Sequence, residues 1–136
     1  MQKKTRRDCF LGLHFDFHAM EGECVGSIID TESIGMMLDA TCPDMIQVDT
    51  KGHPGISSYM TKAGVQAEYM NMDVLRVWRE LTAQRGIRLY AHHSGLYDQA
   101  QAVLHPEWAV VSADGIVSKE FMSPFSPYVD EVLIPK

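Results

Sequence analysis

Three short stretches of this chain alternate apolar with polar residues, and helix-type segments separate them. Residues 12–18 (GLHFDFH), 45–50 (MIQVDT) and 87–94 (IRLYAHHS) each read with period two, the pattern of a pleated strand. Residues 31–41 (TESIGMMLDAT) place Ile34, Met37 and Leu38 on one side, with Thr31 as the expected N-cap. Residues 73–85 (DVLRVWRELTAQR) are the clearest helix. Val74, Leu75, Trp78 and Leu81 form its buried stripe, Asn71 or Asp73 caps it, and Gly86 stops it. Strands that alternate with helices in this way imply βα units, a parallel sheet and right-handed crossovers. Residues 51–71 read as a long irregular stretch. Residues 108–117 read as a small hairpin turning at Asp114 and Gly115, and Ser126-Pro127 opens a last helix. The expectation is an α/β fold of about three βα units with a small β-hairpin insertion, in a single domain over residues 1–136.

The same alternation decides where the polar groups go. Leu13, Phe15 and Phe17, then Ile46 and Val48, then Ile87, Leu89 and Ala91 fall on the faces that pack against helices. The opposite faces carry His14, Asp16 and His18 on the first strand, and Gln47, Asp49 and Lys51 on the second. On the third they carry Tyr90, His92 and Ser94. A parallel strand covered on both sides reads as a continuous apolar run, so helices are expected on one face of this sheet only. Polar groups at the C-terminal ends of parallel strands are where α/β enzymes place their chemistry. His14, His18, His53, His92 and His93 all fall at or just after such ends. By alternation His93 points to the helix side, and His105, before Pro106, is a loop residue. His14, Asp16, Asp49, His53 and His92 are expected to converge at the C-terminal edge of the sheet.

Composition excludes several classes of function. Twelve basic and eighteen acidic residues give a formal charge of −6, which argues against nucleic acid as a partner. No window approaches the roughly 18 apolar residues of a spanning helix, so no membrane partner is expected. The basic start (Lys3, Lys4, Arg6, Arg7) resembles a signal-peptide n-region. The apolar stretch behind it is cut by His14 and Asp16 too soon for an h-region of about 7–15 residues. A cytoplasmic location is therefore expected. Cys9, Cys24 and Cys42 are odd in number and lack a C-x-x-C pattern, against a disulfide framework or a thiolate zinc site. There is no G-x-G-x-x-G, no P-loop and no G-x-S-x-G, and no cofactor is expected. His14-x-Asp16-x-His18 would set three ligand-type side chains on one strand face, which suits a divalent ion. It is not the H-E-x-x-H of a helical zinc site, and the leading reading has no metal. A metal-dependent hydrolase using His14, Asp16, His18 and His92 is the alternative.

Four segments carry a family resemblance: LGLHFDFHA (11–19), IQVDTKGHPGISSYMTKAG (46–64), DVLRVWRELTAQRGIRLYAHHSGLYD (73–98) and HPEWAVVSADG (105–115). Together they resemble the N-terminal part of TIM-barrel glycoside hydrolases. The match is to the group called hypothetical glycosyl hydrolase 6, which is similar to the family 29 α-L-fucosidases. It runs from Arg7 to Pro135, and TKGHPG and YAHHSG are its most specific parts.

The resemblance implies the N-terminal portion of a (β/α)8 barrel and a carbohydrate substrate. It makes His14 a sugar-hydroxyl contact at the end of the first barrel strand. Lys51 and His53 fall where the fucosidases carry a lysine followed by paired, substrate-binding histidines; Gly52 stands where the first of that pair would be. His92 and Ser94 would close the pocket from the third strand. A TIM barrel needs eight strands and about 250 residues. In the resembling enzymes the nucleophilic aspartate ends the fourth strand, after the helix that opens here at Ser126. The chain is thus expected to be an incomplete barrel, a fucosidase-like fragment whose nucleophile lies past Lys136. Its expected substrate-binding residues are His14, Asp16, His18, Asp49, Lys51, His53, His92 and Ser94, with the catalytic residues unassigned. Alone it is expected to be inactive and to self-associate through unpaired sheet edges. A non-catalytic carbohydrate-binding fragment is the third reading.

Overall fold

The alternating stretches become three parallel strands in the computed structural model, which describes residues 5–136; Lys3 and Lys4 of the basic start lie outside the described residues. The first strand, β1, is Gly12–Phe15, and a two-residue strand, β2 (Cys24–Val25), follows it. Helix α1 (Thr31–Thr41) leads into β3 (Met45–Lys51). The short strands β4 (Ile56–Ser57), β5 (Val65–Gln66) and β6 (Tyr69–Met70) precede α2 (Val74–Gln84) and β7 (Arg88–His93). Helix α3 (Gln99–Leu104) and the hairpin β8 (Ala109–Val111) and β9 (Val117–Met122) come next.

β3 lies between β1 and β7 and is parallel to both, so the strand order follows the chain. Gly12 faces Met45 and Phe15 faces Val48 on one side; Met45 faces Arg88 and Asp49 faces His92 on the other. Among the described residues these strands form an open sheet and not a closed barrel.

Both long helices cover the apolar face. Leu38 of α1 and Trp78 of α2 are buried with Ile46, Val48 and Ile87; Leu13, Phe15 and Leu89 pack around them. Fully burying such a side chain contributes about 1.5–3 kcal/mol each, so this face dominates the energetics of the unit. The opposite face carries His14, Gln47 and Tyr90, which line an open cleft of about 530 Å³. A second apolar cluster, Ala102, Met122, Tyr128 and Val132, joins α3 to the hairpin and to the chain after it.

The elements differ from the sequence reading in five places. Asp30, not Thr31, caps α1: it has the extended backbone an N-cap needs, and its carboxylate accepts from the Glu32 amide. Asp73 caps α2 as expected. The first strand ends at Phe15, because its pairing with β3 stops at Val48 and the chain then folds over the sheet end. Residues 51–71 are not irregular throughout. β4 runs antiparallel to β3, β5 extends that sheet, and β6 pairs with β2. Two-residue strands are too short to show a period. Helix α3, capped by Asp98, was hidden for the same reason: QAQAVL is under two turns long. The hairpin forms with Gly115 at φ +84°, and its second strand continues to Met122. After Ser126-Pro127 the expected last helix forms as a short π-helix over Val129–Leu133, closed by Ile134 N–H donating to the Val129 carbonyl. No helix among the described residues is long and apolar enough to cross a membrane.

Candidate functional site

The C-terminal ends of β1, β3 and β7 bring together side chains from four segments. Asp49 is the centre. Its side chain is 1% exposed, and it touches two imidazoles: His92 Nδ1 lies 2.5 Å from Oδ1 and His18 Nε2 lies 2.8 Å from Oδ2. His18 Nε2 also lies 2.9 Å from Asp16 Oδ1, so one ring spans both carboxylates. The His14 ring meets the His92 ring edge to face at 5.7 Å, and the His53 ring stands 5.2 Å from His18. The five side chains expected to converge therefore do so, and His18 joins them.

Strand geometry explains most of this. Asp49 and His92 are direct partners across β3 and β7, so their side chains leave the same face of the sheet. His14 is opposite Gln47, one step before Asp49 on that face. His18 arrives differently. It lies beyond β1, and its ring occupies the space beside Gly52, where a Cβ would meet His18 Cδ2 at 2.3 Å. The glycine that departs from the paired-histidine pattern is thus the residue that lets an imidazole from another segment enter.

The carboxylates sit in a field of imidazoles. The Asp16 carboxyl is held below its ordinary pKa, first by its contact with the Asp49 carboxyl and then by His18, His14 and His92, with burial opposing them. A cleft of about 910 Å³ begins at Asp16, His18 and Asp49 and continues between Phe17, Ile34 and Trp78. It offers an apolar wall next to the polar cluster.

Lys51 and Ser94 lie apart from this cluster. The Lys51 ammonium is fully buried, 3.0 Å from Asp98 Oδ2 and 3.0 Å from the Tyr97 carbonyl. Tyr128 donates to the same Asp98 oxygen at 2.9 Å. Burial pushes the Lys51 pKa down and the charge of Asp98 opposes that shift. Ser94 is buried, and its backbone N–H donates to the Lys51 carbonyl. The sheet register shifts between Asp49 and Lys51, which breaks the alternation that had placed all three polar positions of β3 together.

Sequence reasoning overlooked Tyr97 and Phe121. The His53 ring stacks on Tyr97 at 4.1 Å, and Tyr97 stacks on Phe121 at 4.5 Å. The signal available was an aromatic residue three positions after Ser94; Phe121 is brought in by the hairpin, through a bridge between Tyr97 and Phe121.

No protein-family model matches the chain, and no curated protein matches it. A solved structure that does match is the α-L-fucosidase isoenzyme 2 from Paenibacillus thiaminolyticus. The TM-score is 0.79 at 20% sequence identity, over 90% of this chain and 20% of that one. The likeness is one of fold. This chain spans about a fifth of the fucosidase's length, and its own described residues form a mixed α/β fold with an open sheet.

Proposed function

We propose that this chain forms the sugar-binding side of a glycoside hydrolase pocket of the α-L-fucosidase kind. The observation that carries the reading is the gathering of His14, Asp16, His18, Asp49, His53 and His92 at the C-terminal strand ends of a fucosidase-like fold. Exposed His14 and His53 supply hydrogen-bonding nitrogens to sugar hydroxyls, and the stack of His53 on Tyr97 supplies a ring face for sugar C–H groups. Asp49 orients His18 and His92, while Lys51 and Ser94 act from behind by fixing the loop that carries His53.

The chain does not itself supply the catalytic carboxyl pair. Glycosidases hold two carboxyl groups about 5–5.5 Å apart when retaining, or about 6.5–9.5 Å apart when inverting, with the scissile bond between them. Asp16 and Asp49 have oxygen atoms within 4.8 Å of each other and share one imidazole, and Asp49 is closed to solvent. A pair tied together by one imidazole, with one member closed to solvent, is not arranged to flank a scissile bond. In this reading Asp16 and Asp49 serve the binding side of the pocket and not the displacement step.

The test is a titration of the 136-residue chain with L-fucose, D-galactose and D-glucose, followed by NMR, beside an assay on aryl α-L-fucoside. Millimolar binding that prefers one sugar, weakened in both His14→Ala and His53→Ala, with no turnover, is the expected result. Turnover abolished by Asp16→Asn would place the catalytic carboxylate within this chain. Absence of binding to any sugar would remove the carbohydrate reading.

A further inference from the structure

Asp16 and Asp49 present a physical problem of their own. Two neighbouring carboxylates beside an imidazole are the donor set of a cation site, and one of their oxygens is left without a hydrogen bond. One nitrogen of His14 and one oxygen from each of Asp16 and Asp49 all lie within 4.8 Å of one another. Asp49 Oδ2 is buried and, although His18 Nε2 stands 2.8 Å away, it makes no hydrogen bond. A buried oxygen without a hydrogen bond is costly to keep, so its retention calls for a ligand.

The surroundings resemble a metal shell from the outside inward. His92 holds Asp49 Oδ1 at 2.5 Å, and that contact fixes the carboxylate so that Oδ2 points into the cluster. Partners of this kind orient ligating groups in metal sites. His14 and Asp16 are exposed, which gives an ion a path from solvent.

We propose that His14, Asp16 and Asp49 form a binding site for a first-row divalent cation. One imidazole nitrogen and two carboxylate oxygens suit Zn²⁺ or Mn²⁺, and two carboxylates balance the charge of the ion. Ca²⁺ takes about 6–8 oxygen ligands, more than the three side chains supply. The open coordination positions take water. The ligand set differs from the one drawn from sequence alone: Asp49 replaces His18 and His92, and His92 instead holds its Oδ1 from behind.

This inference goes beyond the sugar reading and does not rest on it, because cation binding is measured with no glycoside present. The experiment is isothermal titration of the full chain with ZnCl₂, and separately with MnCl₂, near pH 7. The variants are His14→Ala, Asp16→Asn and Asp49→Asn, with His105→Ala as a control. His14 and Asp16 are exposed, so their variants keep the fold even if Asp49→Asn does not; circular dichroism checks each. The expected result is one equivalent of cation for the parent chain, with affinity at least tenfold weaker in both His14→Ala and Asp16→Asn and unchanged in His105→Ala. Lack of saturable binding overturns the proposal, as does affinity that survives in both His14→Ala and Asp16→Asn. Loss in His105→Ala would also overturn it, by showing adventitious surface histidine binding. Sugar binding is read separately after chelator treatment, so either reading can fail while the other stands.

Discussion

Asp49 and His92 are partners across two adjacent parallel strands, and their side chains meet Nδ1 to Oδ1 at 2.5 Å. The contact links the buried centre of the site to its exposed rim, since the carboxylate is closed to solvent and the ring is 40% exposed. Replacing His92 by phenylalanine keeps an aromatic ring and removes the donor. We expect this to cost about 1–3 kcal/mol in urea denaturation, the penalty for a buried acceptor left unpaired. His14→Phe, at an exposed position, should stay within about 0.5 kcal/mol of the parent. Equal costs in the two variants would show that Asp49 does not depend on His92.

The buried Lys51–Asp98 pair should matter more to stability than to binding. Both side chains are fully buried, Tyr128 and Lys51 satisfy one Asp98 oxygen, and the other caps α3 through the Gln101 amide. Removing one partner strands a buried charge, so Lys51→Met should destabilise the chain by about 3–5 kcal/mol. Asp98→Asn should also destabilise it. Urea midpoints for the two single variants and the double variant test this. A double variant much less stable than either single would argue that the two groups are not coupled.

Stability should fall on mild acidification because of His93. Burial first, then the positive charges of Lys51, Lys136 and His92, push its pKa down to about 4 from 6.5, with Asp98 opposing them. Its Nδ1 lies 3.2 Å from Thr50 Oγ1 and its Nε2 has no partner. The folded state thus holds the neutral ring, and the unfolded chain binds the extra proton. The stabilisation is complete above about pH 6.5 and is lost as the pH falls towards about 4. His93→Leu should flatten the melting temperature across that window. The carboxyls of Asp30 and Asp39, lowered from 3.8, act at more acidic pH and should leave it unchanged. An unaltered acid limb in His93→Leu would refute the assignment.

Gly52→Ala should expel the His18 ring, since the added Cβ would lie 2.3 Å from its Cδ2 and 2.9 Å from its Nε2. Overpacking of this kind costs about 1–3 kcal/mol. The His18 imidazole resonances should shift, with those of His105 unchanged. If the His18 signals stay in place, the ring does not fill that space in solution.

Self-association is expected from the open sheet. β1 and β7 each have β3 as their parallel neighbour on one side, and Phe10 and Phe125 are 98% and 97% exposed. Unpaired edges and bare aromatic rings favour contacts between chains. Size-exclusion chromatography should show a species larger than a monomer at micromolar concentration and above. A strictly monomeric elution would count against this expectation.

The sequence by itself determined the three strands, the two long helices and the sidedness of the sheet. Period two and period 3.6 are local signals, and Leu13, Ile46, Leu89 and Trp78 declare their face by spacing alone. The same spacing brought His14, Asp49 and His92 to one side, because partners across parallel strands share a face. Tertiary structure decided what spacing could not reach. A shift in register after Asp49 sent Lys51 into a buried pair with Asp98, forty-seven positions along the chain. The space left by Gly52 admitted His18 from beyond the end of β1, and the hairpin carried Phe121 onto Tyr97. Short strands and a six-residue helix hold too few residues to show a period, so their packing becomes visible only once the chain is folded.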